Sequence, residues 1–321
     1  MKLATFRTRE APGGQFGALL KDGRLLALRA GALSLLGEYG LPERYEASRL
    51  LRHVEAFLEH GAEAFSLAYQ VVERAEQVLS EGRHLRGDAG QRLLYELDHV
   101  EFLPPVPQSA KIIAAAGNFA DHAREMGVDP GGAPTGILKA FSALVGHNGA
   151  VVYPSFTRAL DYEVELAAVI GRRGKNISRG QALSHVAGYT AFNDLTARDV
   201  QRAERSLGNL LLAKNFDTAG PMGPYLVTAD EVPEPQALTL QLRVNGEVRQ
   251  SSNTREMIQD FAALIAHWSQ MTLLPGDVIT SGSPGGAAAG HPDDGWYLRH
   301  GDTVEASIER VGTLRNTVRP A

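Results

Sequence analysis

Two carboxylates in this sequence are spaced as a hard cation would need them, and a third ends another apolar segment. Glu163 and Glu165 stand at i and i+2 in the run Asp161-Tyr162-Glu163-Val164-Glu165-Leu166-Ala167-Ala168-Val169-Ile170, which reads as a β-strand. Residues two apart on a strand point to the same face. Like charges held that close repel unless solvent or a cation separates them, and a divalent, oxygen-seeking cation is the natural neutraliser. The exposed polar face of an amphipathic strand gives the same alternation. Here, however, the residues that follow are apolar on both faces, so the strand runs toward the interior. Asp194 ends another apolar segment, GYTAFND, ahead of TARDVQRAERS, which reads as a helix. It is equally well placed to cap that helix. Within the helix Arg198 and Gln201 share a face at i and i+3. A carboxylate with an adjacent cation and amide suits the rim of a site for an anionic, metal-bound substrate.

His122 and Glu125 lie three apart in Gly117-Asn118-Phe119-Ala120-Asp121-His122-Ala123-Arg124-Glu125-Met126-Gly127, a short helix after the strand KIIAAA. A carboxylate at that spacing orients and charges an imidazole, as a general base requires. Acid–histidine pairs also decorate many solvated helices. Lys214, in Ala213-Lys214-Asn215-Phe216-Asp217, is one of only six lysines among 32 basic residues. A surface position is the default for a lysine, but in so lysine-poor a chain that default is less automatic.

The elements that must position these residues fall into two parts. Residues 1–30 read as a small antiparallel unit, with strands LATF, FGALL and LLAL and turns over 11–15 and 21–24. From about 31 to 80 apolar residues recur at i, i+3 and i+4 among Ala, Glu and Leu, a helical pattern. Leu103-Pro104-Pro105-Val106-Pro107 then blocks both helix and central strand. The boundary between an N-terminal α/β domain, 1–105, and a catalytic domain, 106–321, is placed there. The second part is β-dominated, with helices over about 179–186, 196–207 and 255–270 and a type I′ hairpin turn at Asn245-Gly246. That pattern predicts an α+β, mainly β sandwich, roll or barrel rather than a βαβ array. No dinucleotide or P-loop glycine motif is present.

Composition narrows the function further. The 321 residues are 44% hydrophobic and 21% charged, an ordinary soluble balance, with a formal net charge of -5 that excludes a strongly basic nucleic-acid binder. The absence of cysteine removes disulfide scaffolds, thiolate zinc sites, iron–sulfur clusters and cysteine nucleophiles. Arg7, Arg9 and Glu10 fall where a signal peptide needs an apolar stretch, and no apolar run approaches 18 residues. The expectation is a cytoplasmic protein without a membrane segment.

Eight segments in order, GNFADHAREMG, PTGILKAFSALVG, DYEVELAAVIG, GYTAFNDLTARDVQ, KNFDTAGPMGP, LRVNGEVRQ, LLPGDVITSGSPGG and GDTVEASIERVGTLRNTV, resemble the fumarylacetoacetate hydrolase family over about residues 108–318. The resemblance implies a mixed β-roll behind a smaller N-terminal α/β domain, assembled as a homodimer. It implies Mg²⁺, with Mn²⁺ or Ca²⁺ as substitutes, on Glu163, Glu165 and Asp194. It gives His122 and Glu125 the activation of water, with Lys214 also catalytic. Arg198 and Gln201 would bind substrate, with Lys139 toward its far end. Asn118 stands where true fumarylacetoacetate hydrolases often carry a fourth acidic ligand, which implies a three-carboxylate site. The loop Ser281-Gly282-Ser283-Pro284-Gly285-Gly286-Ala287 has no acid before Asp293. This favours the acylpyruvase-like and 2-hydroxyhepta-2,4-diene-1,7-dioate isomerase-like branch over the tyrosine-catabolic enzyme. The implied reaction is Mg²⁺-dependent hydrolysis of a C–C bond in a 2,4-diketo acid, acylpyruvate or fumarylacetoacetate-like, through a metal-bound enolate. The same site would serve a decarboxylase or isomerase of oxaloacetate-like or unsaturated oxo-dioate acids, and a non-catalytic keto-acid binder would keep the same face. The implied partner is a small anionic keto acid, with no nucleic acid or membrane.

Overall fold

The computed structural model describes residues 1–37, 40–87, 90–127, 132–291 and 293–321. Its central strand is Val164–Ile170, every residue of which is buried. Side-chain alternation divides that strand between two cores. Val164, Leu166, Ala168 and Ile170 join one apolar cluster, and Ala167 and Val169 join another. A strand covered on both faces must be apolar throughout, which accounts for the unbroken run that follows the two glutamates.

Val164–Ile170 pairs antiparallel with Val186–Asn193 on one side and Val278–Thr280 on the other. Past Val186–Asn193 come Gly220–Thr228 and then Lys2–Arg7, Gln15–Leu19 and Leu25–Ala27; past Val278–Thr280 come Ile112–Ala116 and Thr135–Lys139. A second sheet runs Glu247–Asn253, Thr239–Val244, Thr303–Ile308, Gly312–Arg319, Ala150–Val152. It packs Leu240, Leu242, Val304, Ala306 and Leu314 against the first. The fold is α+β and sheet-dominated. Among the described residues both large sheets are open, so the barrel alternative is not realised. Asn245 and Gly246 form the expected two-residue turn between Val244 and Glu247, both at positive φ.

The helical pattern over 31–80 becomes four helices, Leu28–Leu35, Leu41–Leu50, Val54–His60 and Ala62–Ser80; positions 38 and 39, inside that run, lie outside the described residues. Ala62–Ser80 buries Ala64, Ala68, Val71, Ala75 and Val78 on one stripe. Leu28, expected to extend a third strand, instead begins a helix of good helix formers. In the second half, 196–207 yields the helix Arg198–Ser206, and 255–270 yields Phe261–Trp268, capped by Asp260, whose carboxylate accepts from Ala263 N at 2.8 Å. The segment expected as a helix over 179–186 is instead a 3₁₀ stretch, Arg179–His185, with Gly180, a poor helix former, at its second position.

Lys2–Arg7 pairs with Gly220–Thr228 through Lys2↔Val227 and Leu3↔Leu226. Residues before and after the proline-rich 103–107 therefore share one sheet. No helix among the described residues is long and apolar enough to cross a membrane.

Candidate metal centre and active site

Glu165 lies in the strand Val164–Ile170, Glu163 just ahead of it, and Asp194 just past the neighbouring strand Val186–Asn193. The register Val164↔Asn193 sets these strand ends side by side. Asn193 Oδ1 accepts from Glu163 N at 2.8 Å, and Asp194 N donates to Glu163 O at 2.9 Å. Glu163, Glu165 and Asp194 are all buried, and each offers an oxygen within 4.8 Å of the others. Asp194 does not cap the helix that follows; Ala197 holds that position without a side-chain bond.

Three cations meet this cluster. Lys214 Nζ donates to Glu163 Oε2 and Asp194 Oδ2, both at 2.6 Å. Arg198 donates to Asp161 at 2.7 Å, to Gln201 at 3.0 Å and to Glu163. Lys139 Nζ lies 2.9 Å from Asp194 Oδ1 and donates to the carbonyls of Ala219, at 3.1 Å, and Lys214. Burial raises the cost of charging Glu163, but Arg198 and Lys214 together outweigh it and hold its carboxyl well below the usual range. Glu165 makes no ion pair among the described residues. Burial first, and then the charges of Asp194 and Glu163, hold its carboxyl well above the usual range. Burial likewise lowers the Lys139 amine despite Asp194.

With Asp161, four buried carboxyl groups face three buried basic side chains, a formal excess of one acid. Glu165 Oε2 is buried with neither a hydrogen-bond donor nor a cation against it among the described residues, whereas Asp194 Oδ1 meets the Lys139 ammonium. An orphaned carboxylate oxygen is costly to bury. An all-oxygen donor set with an acid in excess fits a hard divalent cation such as Mg²⁺ or Mn²⁺. Asn118 is not part of the set. Its Nδ2 donates to Gln259 O at 2.9 Å and Ser281 O at 2.8 Å, and its Oδ1 accepts from Gln259 N at 2.9 Å.

A narrow cleft of about 60 Å³ opens on the cluster, lined also by His122, Arg198, Gln201, Arg205, Lys214 and Ser283. A roomier groove of about 620 Å³ beside Arg7, Arg92 and His99 is also lined by Glu10, Asp98 and Glu101, but among the described residues only the cluster at the smaller cleft brings three acids close enough to share a cation. His122 Nδ1 is 3.3 Å from Glu125 Oε2. Gly286 N in turn donates to that oxygen at 3.1 Å. A Cβ at Gly286, where φ is +92, would meet Arg249 O at 2.4 Å, and one at Gly290 would meet Glu125 Oε1 at 2.5 Å. The glycine-rich loop therefore holds Glu125 from behind.

Of the residues singled out in the sequence, the structure brings together Glu163, Glu165, Asp194, His122, Arg198, Gln201 and Lys214 around this cleft, with Glu125 behind His122. Lys139 is the exception. It ends the strand Thr135–Lys139, is buried, and turns its amine onto Asp194, so among the described residues it does not line the cleft. Sequence reasoning missed Asp161, Ser283 and Arg205. Asp161 continues the 163/165 alternation, and besides Arg198 it accepts from Ala288 N at 2.8 Å and Ala289 N at 3.1 Å. Arg205 continues the 198/201 helix face.

Residues 111–319 match the fumarylacetoacetate (FAA) hydrolase C-terminal family. The human mitochondrial oxaloacetate tautomerase FAHD2A is 41% identical over 250 residues, 78% of each protein. The 2-hydroxyhepta-2,4-diene-1,7-dioate isomerase from Mycobacterium marinum superposes with a TM-score of 0.68 at 27% identity, over 100% of this chain and 98% of that one. The fumarylpyruvate hydrolase from Pseudomonas aeruginosa, solved with Mn²⁺ and pyruvate, gives 0.61 at 32% identity over 68% of this chain and 91% of its own. Tautomerase, isomerase and hydrolase thus share this frame. A family match spanning most of the chain, around a strand-end carboxylate cluster, makes this protein a member of the fumarylacetoacetate hydrolase family.

Proposed function

We propose that this chain is a divalent-cation-dependent enzyme of small 2-oxo acids that shifts a proton between C3 and the C2 oxygen, with His122 carrying the proton. The observation that carries this reading is the placement of His122. It lines the same cleft as the carboxylate cluster, with Nδ1 directed to Glu125 and Nε2 without a protein partner among the described residues. Glu163, Glu165 and Asp194 would hold Mg²⁺ or Mn²⁺. Such a cation, when bound, draws charge from the carboxylate and oxo oxygens of the substrate and makes the adjacent C–H more acidic. His122 Nε2 accepts the C3 proton, the C–H pair becomes the C2–C3 double bond, and the carbonyl pair moves to oxygen, where the proton is returned. Glu125, 3.3 Å from Nδ1, fixes the orientation of the ring. Lys214 and Arg198 supply positive charge beside the developing oxyanion, and Gln201 supplies an amide.

The 41% identity to an oxaloacetate tautomerase supports this proton shift over the hydrolysis expected from the sequence. C–C hydrolysis of a 2,4-dioxo acid is a second reading, supported by the likeness to a fumarylpyruvate hydrolase. There His122 would deprotonate a water that attacks C4, the C3–C4 bond would break, and C3 would be protonated. The test is to assay oxaloacetate enol–keto exchange and 2,4-dioxo acid cleavage with Mg²⁺ and Mn²⁺, identifying products by mass. His122→Ala should lower the true reaction on the order of 100- to 10,000-fold and Glu125→Gln less, while the cation-induced rise in melting temperature persists. Wild-type turnover in His122→Ala, or in excess EDTA, would sink the proposal.

A further inference from the structure

We infer that Arg205 makes this enzyme select 2-oxo dicarboxylates, by binding the carboxylate at the end of the substrate remote from the acidic cluster. The inference rests on the reading of the cleft as a 2-oxo acid site and adds to it the class of acid. In the helix Arg198–Ser206, residues 198, 201 and 205 follow at i, i+3 and i+7, one face of the helix, and all three line the cleft. Their states differ along that face. Arg198 and Gln201 are buried and bonded to each other, and Arg198 is further engaged by Asp161 and Glu163. Arg205 is exposed at the other end of the helix, and its guanidinium makes no hydrogen bond or ion pair to the described residues.

The remaining cations of the cleft are therefore committed to protein carboxylates, Lys214 to Glu163 and Asp194 and Arg198 to Asp161 and Glu163. The acid next to Arg205 is committed too: Glu204 accepts from the backbone of Leu211, Leu212 and Ala213. A solvated arginine on a helix surface needs no function. An uncompensated one on the wall of a cleft whose floor holds the acidic cluster leaves a forked cationic donor at the rim. A guanidinium matches a carboxylate with two parallel N–H···O bonds. A substrate whose first carboxylate and oxo group occupy the floor presents its second carboxylate along this face. A monocarboxylic 2-oxo acid has nothing to offer Arg205.

The test compares 2-oxoglutarate with 2-oxovalerate, equal in length and differing only in the terminal carboxylate, as ligands of the Mn²⁺-loaded full chain by calorimetry. The wild type should bind the dicarboxylate at least about tenfold more tightly. Arg205→Ala should weaken that acid by about 10- to 100-fold, the range for a lost charge-assisted pair, and leave 2-oxovalerate and Mn²⁺ affinity within about twofold. Arg205→Lys should keep part of the preference, and in turnover the loss should fall on KM for a diacid substrate with little change in kcat. Equal weakening of both acids, or an unchanged preference in Arg205→Ala, would overturn the assignment while leaving the 2-oxo acid site standing. Failure of the wild type to bind either acid with Mn²⁺ present would overturn the 2-oxo acid reading, and the role of Arg205 with it.

Discussion

Glu165 is where stability and function oppose each other. Its carboxylate is buried, makes no ion pair among the described residues, and lies beside Glu163 and Asp194, so it burdens the cation-free fold with desolvation and like-charge repulsion. Glu165→Gln keeps the volume and removes the charge. It should raise the melting temperature of EDTA-treated protein by a few degrees, since about 1 kcal/mol moves a chain of this size by roughly 2–4 °C. The same change should remove the further rise that Mg²⁺ or Mn²⁺ gives the wild type, and turnover with it. Glu163→Gln should behave oppositely, because Arg198 and Lys214 would lose their shared partner, a break that costs about 3–5 kcal/mol in buried pairs. Thermal melts of both variants with and without Mn²⁺ check the pair; an EDTA-treated Glu165→Gln melting below wild type would show that this carboxylate is an anchor instead. The i, i+2 glutamates were legible in the sequence because strand geometry alone gives them a common face. The place of Lys139 was not. A lysine at a strand end says nothing about which carboxylate, 55 positions on, its amine will meet.

At the scale of elements, one side chain ties the helix Arg198–Ser206 to the short helix Leu212–Asn215 that carries Lys214. The Glu204 carboxylate accepts from Leu211 N at 2.9 Å, Leu212 N at 2.7 Å and Ala213 N at 3.2 Å, the amides that open the second helix. Burial works against the charge on Glu204, yet these amides hold its carboxyl below the usual range. Glu204→Ala leaves the amides to water and frees the turn that delivers Lys214. It should cost about 1–3 kcal/mol of stability and lower kcat by about 10- to 100-fold, as misplacement of a charged group by an ångström does. Glu204→Gln should recover part of both. An unchanged kcat in Glu204→Ala would show that Lys214 keeps its place through its own ion pairs alone. None of this was visible in the linear pattern, where Glu204 reads as one more exposed helix acid. The Asn245-Gly246 turn and the 198/201 helix face were visible because both depend on neighbours within a few residues. The strand pair 164–170 and 186–193 was not, because its register is set by packing on both faces.

At the scale of the whole molecule, the proline-rich 103–107 suggested a boundary, and the long-range pairing argues for a shared structure across it. The strand Lys2–Arg7 closes one flank of Gly220–Thr228, more than 200 residues away in sequence. One apolar cluster draws Phe57, Ala64 and Val71 from before the prolines and Ala167, Phe192 and Met222 from after them. Removing residues 1–105 would bare that cluster and leave the Gly220–Thr228 edge unpaired, an aggregation-prone surface. We expect a fragment of residues 106–321 to be insoluble or to lack a cooperative melt. The intact chain offers a cleaner measurement. The longest helix among the described residues, Ala62–Ser80, lies before the prolines and weighs heavily in the far-ultraviolet dichroism, whereas both tryptophans, Trp268 and Trp296, lie after them. If the shared sheet and cluster make one cooperative unit, dichroism and tryptophan emission should fall along one curve in urea or on heating. Two separated transitions, with the helices lost first and the tryptophans unmoved, would mean that the cluster contributes little across residue 105, and that the N-terminal part folds as a domain of its own.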